Sequence, residues 1–231
     1  MMTVSLTPLP PPGPPALSCR YQWLNDDEHG VARTPARATA FPSGCGLGAT
    51  WSADILLEVG RVIGQEARGL HNGFLRTDPS RSMHCNGCGI TLYAPNINLV
   101  RDPRWGRAQE VYGEDPAHMA QLVRSFVTGA QNNTEGNSTD AGGKHLQVGM
   151  CCKHFAAYDV EGGGGTAPRF QFDAEVNGRD FWEYYMPAFR ACVAEARGSH
   201  VMCSYNAVNG QLPVLRWSLR YRCCPPLLPP P

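Results

Sequence analysis

The sequence predicts an α/β fold in the form of an incomplete (β/α)8 TIM-type barrel. Apolar, β-prone runs alternate with helical patterns, and the intervals between the runs suit parallel strand pairing. Polar or charged residues directly follow three of the apolar runs, at Arg101–Arg107, Lys153–His154 and Ser204–Asn206. Since parallel barrels carry functional residues at the C-terminal ends of several strands, this pattern favours a barrel.

A doubly wound nucleotide-binding fold shares the same alternation, but the glycines argue against it. Such a fold places a Gly-x-Gly-x-x-Gly turn between its first strand and the helix that follows. The stretch Gly44–Gly48 has the glycines without that spacing, and no helical pattern follows Gly162–Gly165. The barrel is therefore the preferred interpretation.

Three segments carry the signals of helices. Residues Ser52–Asn72 have apolar side chains at helical spacing, with Ser52 as the expected N-cap. Asp115 before Pro116 matches an N-cap followed by proline at the first helical position, and predicts a helix through about Gln131. A third helix is predicted over Arg179–Arg197.

Strands are predicted over the apolar runs Gly89–Val100, Leu146–Phe155 and His200–Tyr205. The segments Thr77–Gly89 and Asn132–Lys144 are rich in polar residues and glycine, and are expected to be loops. Strands and helices thus alternate along the chain.

Charge and hydropathy exclude two classes of partner. The 231 residues include 20 basic and 20 acidic side chains, so the formal net charge is zero and no overall field attracts nucleic acid or an anionic membrane. No uninterrupted apolar run approaches the roughly 20 residues of a membrane helix. Neither a nucleic acid nor a membrane is an expected partner.

The chain divides into three parts by composition. Residues 1–20 are rich in proline and are expected to form a disordered leader, without the basic and apolar segments of a signal peptide. Residues 21–213 carry the barrel pattern, and residues 214–231 form a divergent tail rich in proline and cysteine.

The ten cysteines are many for a cytosolic enzyme. Cys85 and Cys88 have the spacing of half a zinc site, but no second Cys or His pair lies at the usual distance. No metal or other cofactor is expected, and a loop disulfide or free thiols are preferred. Asn132 and Asn137 begin glycosylation patterns that have a meaning in a secreted protein.

The segment Tyr93–Pro116 points to the chemistry of the ligand. Its apolar start is followed by a dense cluster of arginines, carboxylates and one tryptophan, Trp105. Paired donors and acceptors suit the hydroxyl groups of a sugar, and a flat aromatic ring suits its C–H face. The segment therefore indicates a polyhydroxylated ligand.

Several segments in a fixed order also carry a family resemblance. They are YQWLNDDEHGVA from Tyr21, the helical region Ala40–Asn72, LYAPNINLVRDPRWGRAQEVYGEDP from Leu92, CCKHFAAYDVE from Cys151, RFQFDAEV from Arg169 and VMCSYNAVNG from Val201. In these segments the chain resembles the N-terminal barrel domain of family 3 glycoside hydrolases, in particular the plant-type and algal-type β-xylosidase/α-L-arabinofuranosidase branch. The resemblance covers residues 21–213, most of the chain.

The resemblance implies a set of sugar-binding residues. Arg107, Lys153 and His154 would donate hydrogen bonds to hydroxyl groups of the terminal sugar, and Tyr205 would lie beside the reacting carbon. Asp26 stands where the family has a ligand-binding glutamate and is one methylene shorter. The expected partner is an oligosaccharide or another glycoside, together with the second domain of the full-length family, in an extracellular or cell-wall location.

The resemblance also implies exo-acting, retaining hydrolysis that releases a terminal β-D-xylose or α-L-arabinose from xylan-type oligosaccharides. In the family the nucleophile is an aspartate that lies well beyond the SYN motif. After Pro213 this sequence departs from the pattern and contains no Asp or Glu, so no catalytic residue is identified and the nucleophile and acid/base are expected to be absent from this chain. A β-glucosidase of the same family and a non-catalytic sugar-binding remnant are the alternatives.

Plainer interpretations remain open for some of these residues. Arg104 and Arg107 suit rim ion pairs with nearby carboxylates, and Trp105 suits either a sugar platform or packing. Asp115 and Glu114 resemble paired catalytic carboxylates, but are better explained as a helix cap and an ion-pair partner. The remaining acids near the rim are Asp159 and Glu161, which suit a solvated loop.

Overall fold

The structure is a computed structural model that describes residues 3–5, 23–24, 29–31, 37–77, 89–131, 146–162 and 168–211. Some sequence predictions concern residues outside these ranges. They are the predicted sugar-binding residue Asp26, the pair Cys85 and Cys88, the two glycosylation patterns, the leader beyond Ser5 and the predicted tail 214–231.

Short strands form a five-stranded sheet in the order β1-β6-β4-β3-β2, and β5 and β7 form a separate parallel pair. From β2 through β3 and β4 to β6 every contact is parallel, while β1 joins β6 antiparallel. The bounds are β1 Thr3–Ser5, β2 Trp23–Leu24, β3 Thr91–Leu92, β4 Gly149–Phe155, β5 Asp173–Ala174, β6 His200–Cys203 and β7 Ala207–Val208.

A helical segment lies between each pair of neighbouring parallel strands. The bounds are α1 Gly44–Gly48, α2 Ala53–Thr77, a 3-10 turn Ala108–Glu110, α3 Pro116–Gln131, α4 Gly178–Asp180, a π-helical segment Phe181–Tyr185, α5 Met186–Arg190 and a second π-helical segment Ala191–Glu195. The last four run on without a break and are called the composite helix here. This β-α-β order with parallel strands agrees with the predicted incomplete TIM-type barrel. Across the described ranges, the helices are too short or too polar to cross a membrane.

The start of each long helix follows the predicted capping chemistry. The hydroxyl of Ser52 accepts a hydrogen bond from the backbone N–H of Ile55 at 3.3 Å. The carboxylate of Asp115 accepts one from the backbone N–H of His118 at 2.7 Å. These bonds satisfy N–H groups that have no partner inside the helix, so both predicted caps are confirmed.

Helices α2 and α3 pack closely because glycines line their contact. A Cβ at Gly60 would lie 2.3 Å from the carbonyl oxygen of Phe126, and one at Gly129 would lie 2.1 Å from that of Leu57. The fully buried side chains around these glycines are Leu56, Ile63, Leu122, Val123 and Phe126. The apolar stripes predicted for both helices therefore form the core on this side of the sheet.

A disulfide joins the sheet to the composite helix. Cys152 of β4 is bonded to Cys192, 40 residues further along the chain. Gly198 lies beside the bond, since a Cβ there would come 2.5 Å from the sulfur of Cys192. Within the described ranges, Cys45, Cys151 and Cys203 are free thiols. The preference for a loop disulfide or free thiols at Cys85 and Cys88 concerns residues outside the described ranges and stays a prediction.

The predicted strand Gly89–Val100 is paired as a strand over a shorter stretch, Thr91–Leu92. Pro95 has no N–H to give to a ladder. The chain resumes contact with β4 at Asn96, which forms a bridge with Lys153, and Ile97 donates to the carbonyl of Lys153 at 2.7 Å.

Helix α3 ends at Gln131 as predicted, whereas three other elements differ from prediction at one end. Helix α2 runs to Thr77 rather than Asn72, β4 begins at Gly149 rather than Leu146, and β6 ends at Cys203. Because periodicity marks the middle of an element better than its end, these shifts are of the expected kind.

The leader is structured where the structure describes it. Thr3–Ser5 forms β1 and pairs with His200–Met202 of β6, in contrast to the disorder predicted for residues 1–20. Without β1, strand β6 would be an edge strand with unpaired N–H and C=O groups. The short segment Thr3–Ser5, which contains two β-branched residues, pairs with these groups. The proline-rich composition of the leader concealed this segment.

The close approach of α2 and α3 predicts that a larger residue in place of Gly60 destabilises the fold. Gly60→Ala places a methyl group against the backbone of α3, so we expect it to lower the free energy of unfolding by about 1 to 3 kcal/mol. Gly69→Ala is the matched control, because a Cβ there meets nothing within 4 Å. Gly69→Ala should instead stabilise the same helix by about 0.5 to 1 kcal/mol through helix propensity.

Urea denaturation of both variants checks this prediction. Equal effects of the two substitutions would contradict the close helix contact.

Candidate functional site

The candidate site lies where the chain leaves β3 and β4 at their C-terminal ends. Lys153 and His154 are buried and directly precede Phe155, the last residue of β4. Asn96 and Asn98, in the segment that follows β3, lie beside them and are also buried. Buried polar groups need partners, and hydrogen bonds from Asn96 to Glu110 and between Asn98 and His154 supply several of them.

Asn98 fixes the position of His154. Its side-chain oxygen accepts from the backbone N–H of His154 at 2.9 Å, and its amide nitrogen donates to the carbonyl of His154 at 2.9 Å. The same oxygen lies 3.0 Å from Nδ1 of the imidazole. The side chain of Asn98 thus pairs with both backbone groups of His154, as a neighbouring strand would, and also orients the imidazole ring.

Arg107 approaches the imidazole from the other side. Its Nη1 lies 3.0 Å from Nε2 of His154, while its Nε donates to Glu110 at 2.8 Å and its Nη2 forms an ion pair with the same carboxylate. Asn96 donates to Glu110 at 3.1 Å. Burial lowers the pKa of Arg107, but the hydrogen bonds and the charge of Glu110 outweigh it and raise the pKa.

These contacts determine the protonation of His154. A guanidinium can donate but not accept, so Nε2 of His154 accepts from Arg107 and Nδ1–H donates to Asn98. Burial, together with the positive charges of Lys153, Arg107 and Arg169, lowers the pKa of His154 well below its ordinary value of 6.5. His154 is therefore a neutral imidazole with its proton on Nδ1.

Lys153 brings a buried cation to the same end of β4. Burial raises the pKa of the Cys151 thiol to about 12, and the charge of Lys153 acts against that rise. The charge of Lys153 also acts on His154. Cys151 and Lys153 are two residues apart on β4, so both lie on the same face of the sheet.

Tyr158 connects this cluster to Tyr205. The ring of Tyr158 lies 4.8 Å from the imidazole of His154 and 5.9 Å from the guanidinium carbon of Arg107. Its hydroxyl donates to Glu161, which also accepts from Arg169 at 2.8 Å. Burial and the bond to Glu161 raise the pKa of Tyr158 to about 12. The guanidinium of Arg169 lies 5.0 Å from the ring of Tyr205.

The structure thus brings four of the five predicted sugar-binding residues to one end of the sheet. Arg107, Lys153 and His154 form one cluster, and Tyr205 joins it through Arg169. Asp26 lies outside the described residues. The sugar-binding role of all five stays a prediction.

The two arginines of the RDPRWGR segment have different surroundings. The side chain of Arg104 is 89% exposed and pairs with the exposed Asp102, whereas that of Arg107 is 14% exposed. The ion-pair interpretation is therefore sufficient for Arg104. Arg107 combines an ion pair with a contact to His154.

The other acidic residues near the rim have structural partners. Asp115 caps α3, and the backbone carbonyl of Glu114 accepts from Tyr184 at 3.3 Å. The ion-pair role of the Glu114 side chain stays a prediction. Asp159 accepts from Tyr185 at 3.3 Å, and burial raises the pKa of its carboxyl.

Trp105 belongs to the core. It is buried and meets the ring of Tyr158 edge-on at 6.1 Å, which supports packing rather than an exposed platform. Across the parts of the chain that the structure describes, no three His, Cys, Asp or Glu side chains are grouped so as to hold a metal ion.

Sequence reasoning missed Asn98, Tyr158 and Arg169. Asn98 had a signal, because an amide inside the apolar run Ile97–Val100 needs a hydrogen-bond partner. Arg169 and Tyr158 lay in segments quoted for the resemblance without a role. Their contacts join residues far apart in the chain, and spacing alone does not reveal such contacts.

Comparison with known proteins places this site in a family. Residues 80–222 match the model described as the glycosyl hydrolase family 3 N terminal domain, and they include Arg107, Lys153, His154 and Tyr205. This chain belongs to glycosyl hydrolase family 3. The resemblance stated from the sequence is confirmed, and so is the barrel class.

Curated relatives in this family carry xylosidase names. A probable exo-1,4-β-xylosidase of Aspergillus fumigatus is 40% identical over 210 residues, which are 86% of this chain and 25% of the relative. Beta-D-xylosidase 1 of Arabidopsis thaliana is 36% identical over 200 residues, which are 83% of this chain and 23% of the relative. The chain therefore spans about a quarter of the length of these relatives.

Solved structures of the same family superpose on this one. A family 3 exo-β-xylosidase bound to a xylobiose aziridine probe has a TM-score of 0.66 and 28% identity, over 80% of this chain and 22% of that one. β-Glucosidase 3B from Thermotoga neapolitana in complex with α-D-glucose has a TM-score of 0.60 and 30% identity, over 81% of this chain and 22% of that one.

The hydrogen bonds of His154 make a prediction for nuclear magnetic resonance. Because its pKa lies well below 6.5, the imidazole should stay neutral when the pH falls from 7.5 to about 6, with the proton on Nδ1. Two-bond proton–nitrogen spectra of the histidine rings distinguish the two tautomers.

His118 provides an internal reference at pH 7.5. Its Nε2 lies 3.0 Å from the carbonyl oxygen of Gly48, which can accept but not donate, so its neutral ring carries the proton on Nε2. A His154 signal with the same pattern as His118, or with an imidazolium pattern at pH 6, would contradict the network.

Proposed function

We propose that this chain forms the sugar-holding wall of an exo-acting family 3 glycosidase that releases terminal β-D-xylose or α-L-arabinose from xylan-type oligosaccharides. The observation that carries the proposal is the convergence of Arg107, Lys153 and the neutral His154 at the C-terminal ends of parallel strands. The names of the relatives support xylose over glucose as the terminal sugar. The β-glucosidase likeness supports glucose as the alternative.

The geometry of Arg107 suits a sugar hydroxyl. A guanidinium has five N–H groups, and the contacts to Glu110 and His154 use three of them. The side chain is 14% exposed, so a sugar hydroxyl can approach an N–H group that neither Glu110 nor His154 uses. The ion pair with Glu110 holds the guanidinium in place, so little side-chain entropy is lost when a hydroxyl binds.

The reaction in this proposal is retaining hydrolysis. One carboxylate attacks the anomeric carbon and displaces the leaving oxygen, which a carboxylic acid protonates; water then releases the sugar from the enzyme. Cations around the ring position the hydroxyl groups during both steps. In this proposal the site is completed by the second domain of the family architecture, and the protein acts outside the cell or in the cell wall. The disulfide between Cys152 and Cys192 supports an oxidising compartment.

A second candidate is a sugar-binding protein without hydrolysis. The carboxylates that the structure describes near the cluster are all engaged: Glu110 with Arg107, Glu161 with Tyr158 and Arg169, and Asp159 with Tyr185. Each of these carboxylates has a partner that fixes its position. These three side chains therefore suit positioning rather than covalent chemistry.

Thermal unfolding in the presence of xylose tests the binding role. At a xylose concentration about ten times the dissociation constant, binding adds about 1.4 kcal/mol and should raise the melting temperature by about 3 to 6 °C. Arg107→Gln removes a charged donor, so the apparent affinity should fall by about tenfold or more.

Arg104→Gln is the matched control for this experiment. Arg104 lies in the same segment, and its partner Asp102 is exposed, so the variant should keep the response to xylose. Tyr205→Phe, which removes a single hydroxyl oxygen, serves if Arg107→Gln does not fold. A melting temperature unaffected by xylose and by glucose in the unmodified chain would overturn the proposal.

Hydrolysis of 4-nitrophenyl β-D-xyloside by the purified 231-residue chain separates binding from chemistry. We expect no nitrophenol above the buffer control, because the described carboxylates near the cluster are engaged. Release that survives the double substitution Asp159→Asn and Glu161→Gln would show a catalytic carboxylate elsewhere in the chain. That result would exclude the sugar-binding candidate.

A further inference from the structure

The outer edge of β6 is covered by a short segment of the same chain. Among the described strands, β4 pairs in parallel with one side of β6, and β1 pairs antiparallel with the other side. Strand β1 is three residues long, and its partners are His200, Val201 and Met202. So short a strand contributes few hydrogen bonds, so the edge that it covers opens easily.

Strand β6 itself lacks the residues that usually protect an edge, which are lysine and proline. Its sequence is His-Val-Met-Cys, in which Val201 and Met202 are buried and apolar, and His200 is the basic residue. Nδ1 of His200 lies 2.7 Å from the hydroxyl oxygen of Ser199, and burial lowers the pKa of His200 below 6.5, so its ring is neutral at pH 7.5. No side-chain charge within β6 therefore opposes its pairing with another strand.

The direction of β1 shows which kind of pairing this edge accepts. Thr3–Ser5 runs antiparallel to β6. Two copies of one strand that lie side by side about a two-fold axis are also antiparallel, so the same edge fits its own counterpart. With the axis between Val201 and Met202, each of these residues in one copy lies opposite the other in its partner. Such pairing would replace the hydrogen bonds of β1 and join two sheets into one.

We propose that the outer edge of β6 is a binding surface for a second copy of this chain, and that Thr3–Ser5 covers this surface in the monomer. While β1 is paired, the N–H and C=O groups of the edge have partners within one copy. When β1 is displaced, two copies pair through β6 and form a dimer. This proposal is independent of the proposed function, because it needs no sugar and no catalytic group.

The double substitution Val4→Pro and Ser5→Pro tests the proposal. Successive N–H groups of a strand point to opposite sides, so one of the two prolines removes a hydrogen bond to β6 in either register. In analytical ultracentrifugation at micromolar concentration, the unmodified chain should be a monomer and the proline variant should have twice its mass. A synthetic peptide with the sequence MMTVSLT of residues 1–7 should return the variant to a monomer, because it covers the same edge.

The double substitution Val4→Ala and Ser5→Ala is the matched control. It changes the same two side chains but keeps both backbone N–H groups, so this variant should stay monomeric. A second control is the same peptide with proline in place of Val4 and Ser5, which should leave the dimer intact. Together the controls separate the backbone pairing of β1 from any effect of its side chains.

A folded proline variant that stays monomeric overturns the proposal, and so do larger aggregates that the peptide does not dissolve. If circular dichroism shows that the proline variant does not fold, the unmodified chain provides the test. An excess of the peptide should then displace β1 and shift the backbone amide signals of Val201 and Met202 in nuclear magnetic resonance spectra. Unchanged signals would show that β1 is not displaceable and would overturn the proposal.

Discussion

The hydrogen bonds of the Asn98 side chain to His154 hold the candidate site together. They connect the segment after β3 to the end of β4 where the regular ladder stops, and they orient the imidazole toward Arg107. Burial of His154, together with the positive charges of Lys153, Arg107 and Arg169, strongly disfavours a protonated ring there. The neutral ring lets the cations lie close together at one strand end.

The helices support this arrangement from behind the sheet. Glycines let α2 and α3 approach each other to backbone contact, and α3 in turn packs against the composite helix. The side chain of Gln131, at the end of α3, accepts from the backbone of Met150 at 3.0 Å and of Ser199 at 2.9 Å. One buried amide therefore sets the relative position of β4 and β6, the two strands that lead to the site.

The sequence was sufficient for the features that depend on local pattern. Helical periodicity and the Ser52 and Asp115 caps located α2 and α3, and the apolar run before Lys153 located β4. The prediction of one long strand was wrong at Pro95, because proline has no N–H to donate and the pairing with β4 resumes at Asn96. Thr3–Ser5 was missed because its pairing partner, β6, lies almost two hundred residues away in the chain.

The candidate site divides in the same way. Arg107, Lys153, His154 and Tyr205 were found through motifs, but the Glu161 bridge between Tyr158 and Arg169 follows from three-dimensional proximity. Likewise, the resemblance assigned a role to Arg107 and none to Arg104, but the charge pattern did not show that Arg104 is exposed and Arg107 half-buried. Burial separates them, and burial is a property of the fold.

The disulfide has a practical consequence for anyone who prepares the protein. Cys152 immediately precedes Lys153, so its bond to Cys192 anchors the strand that carries the cationic cluster. Closing a loop of this size lowers the conformational entropy of the unfolded chain, which stabilises the folded state by about 4 kcal/mol. Material made in a bacterial cytosol, or kept in dithiothreitol, would lack that anchor and would have its buried Cys152 available for mispairing with Cys151 or Cys203. Expression through the periplasm or the secretory pathway is therefore the appropriate route.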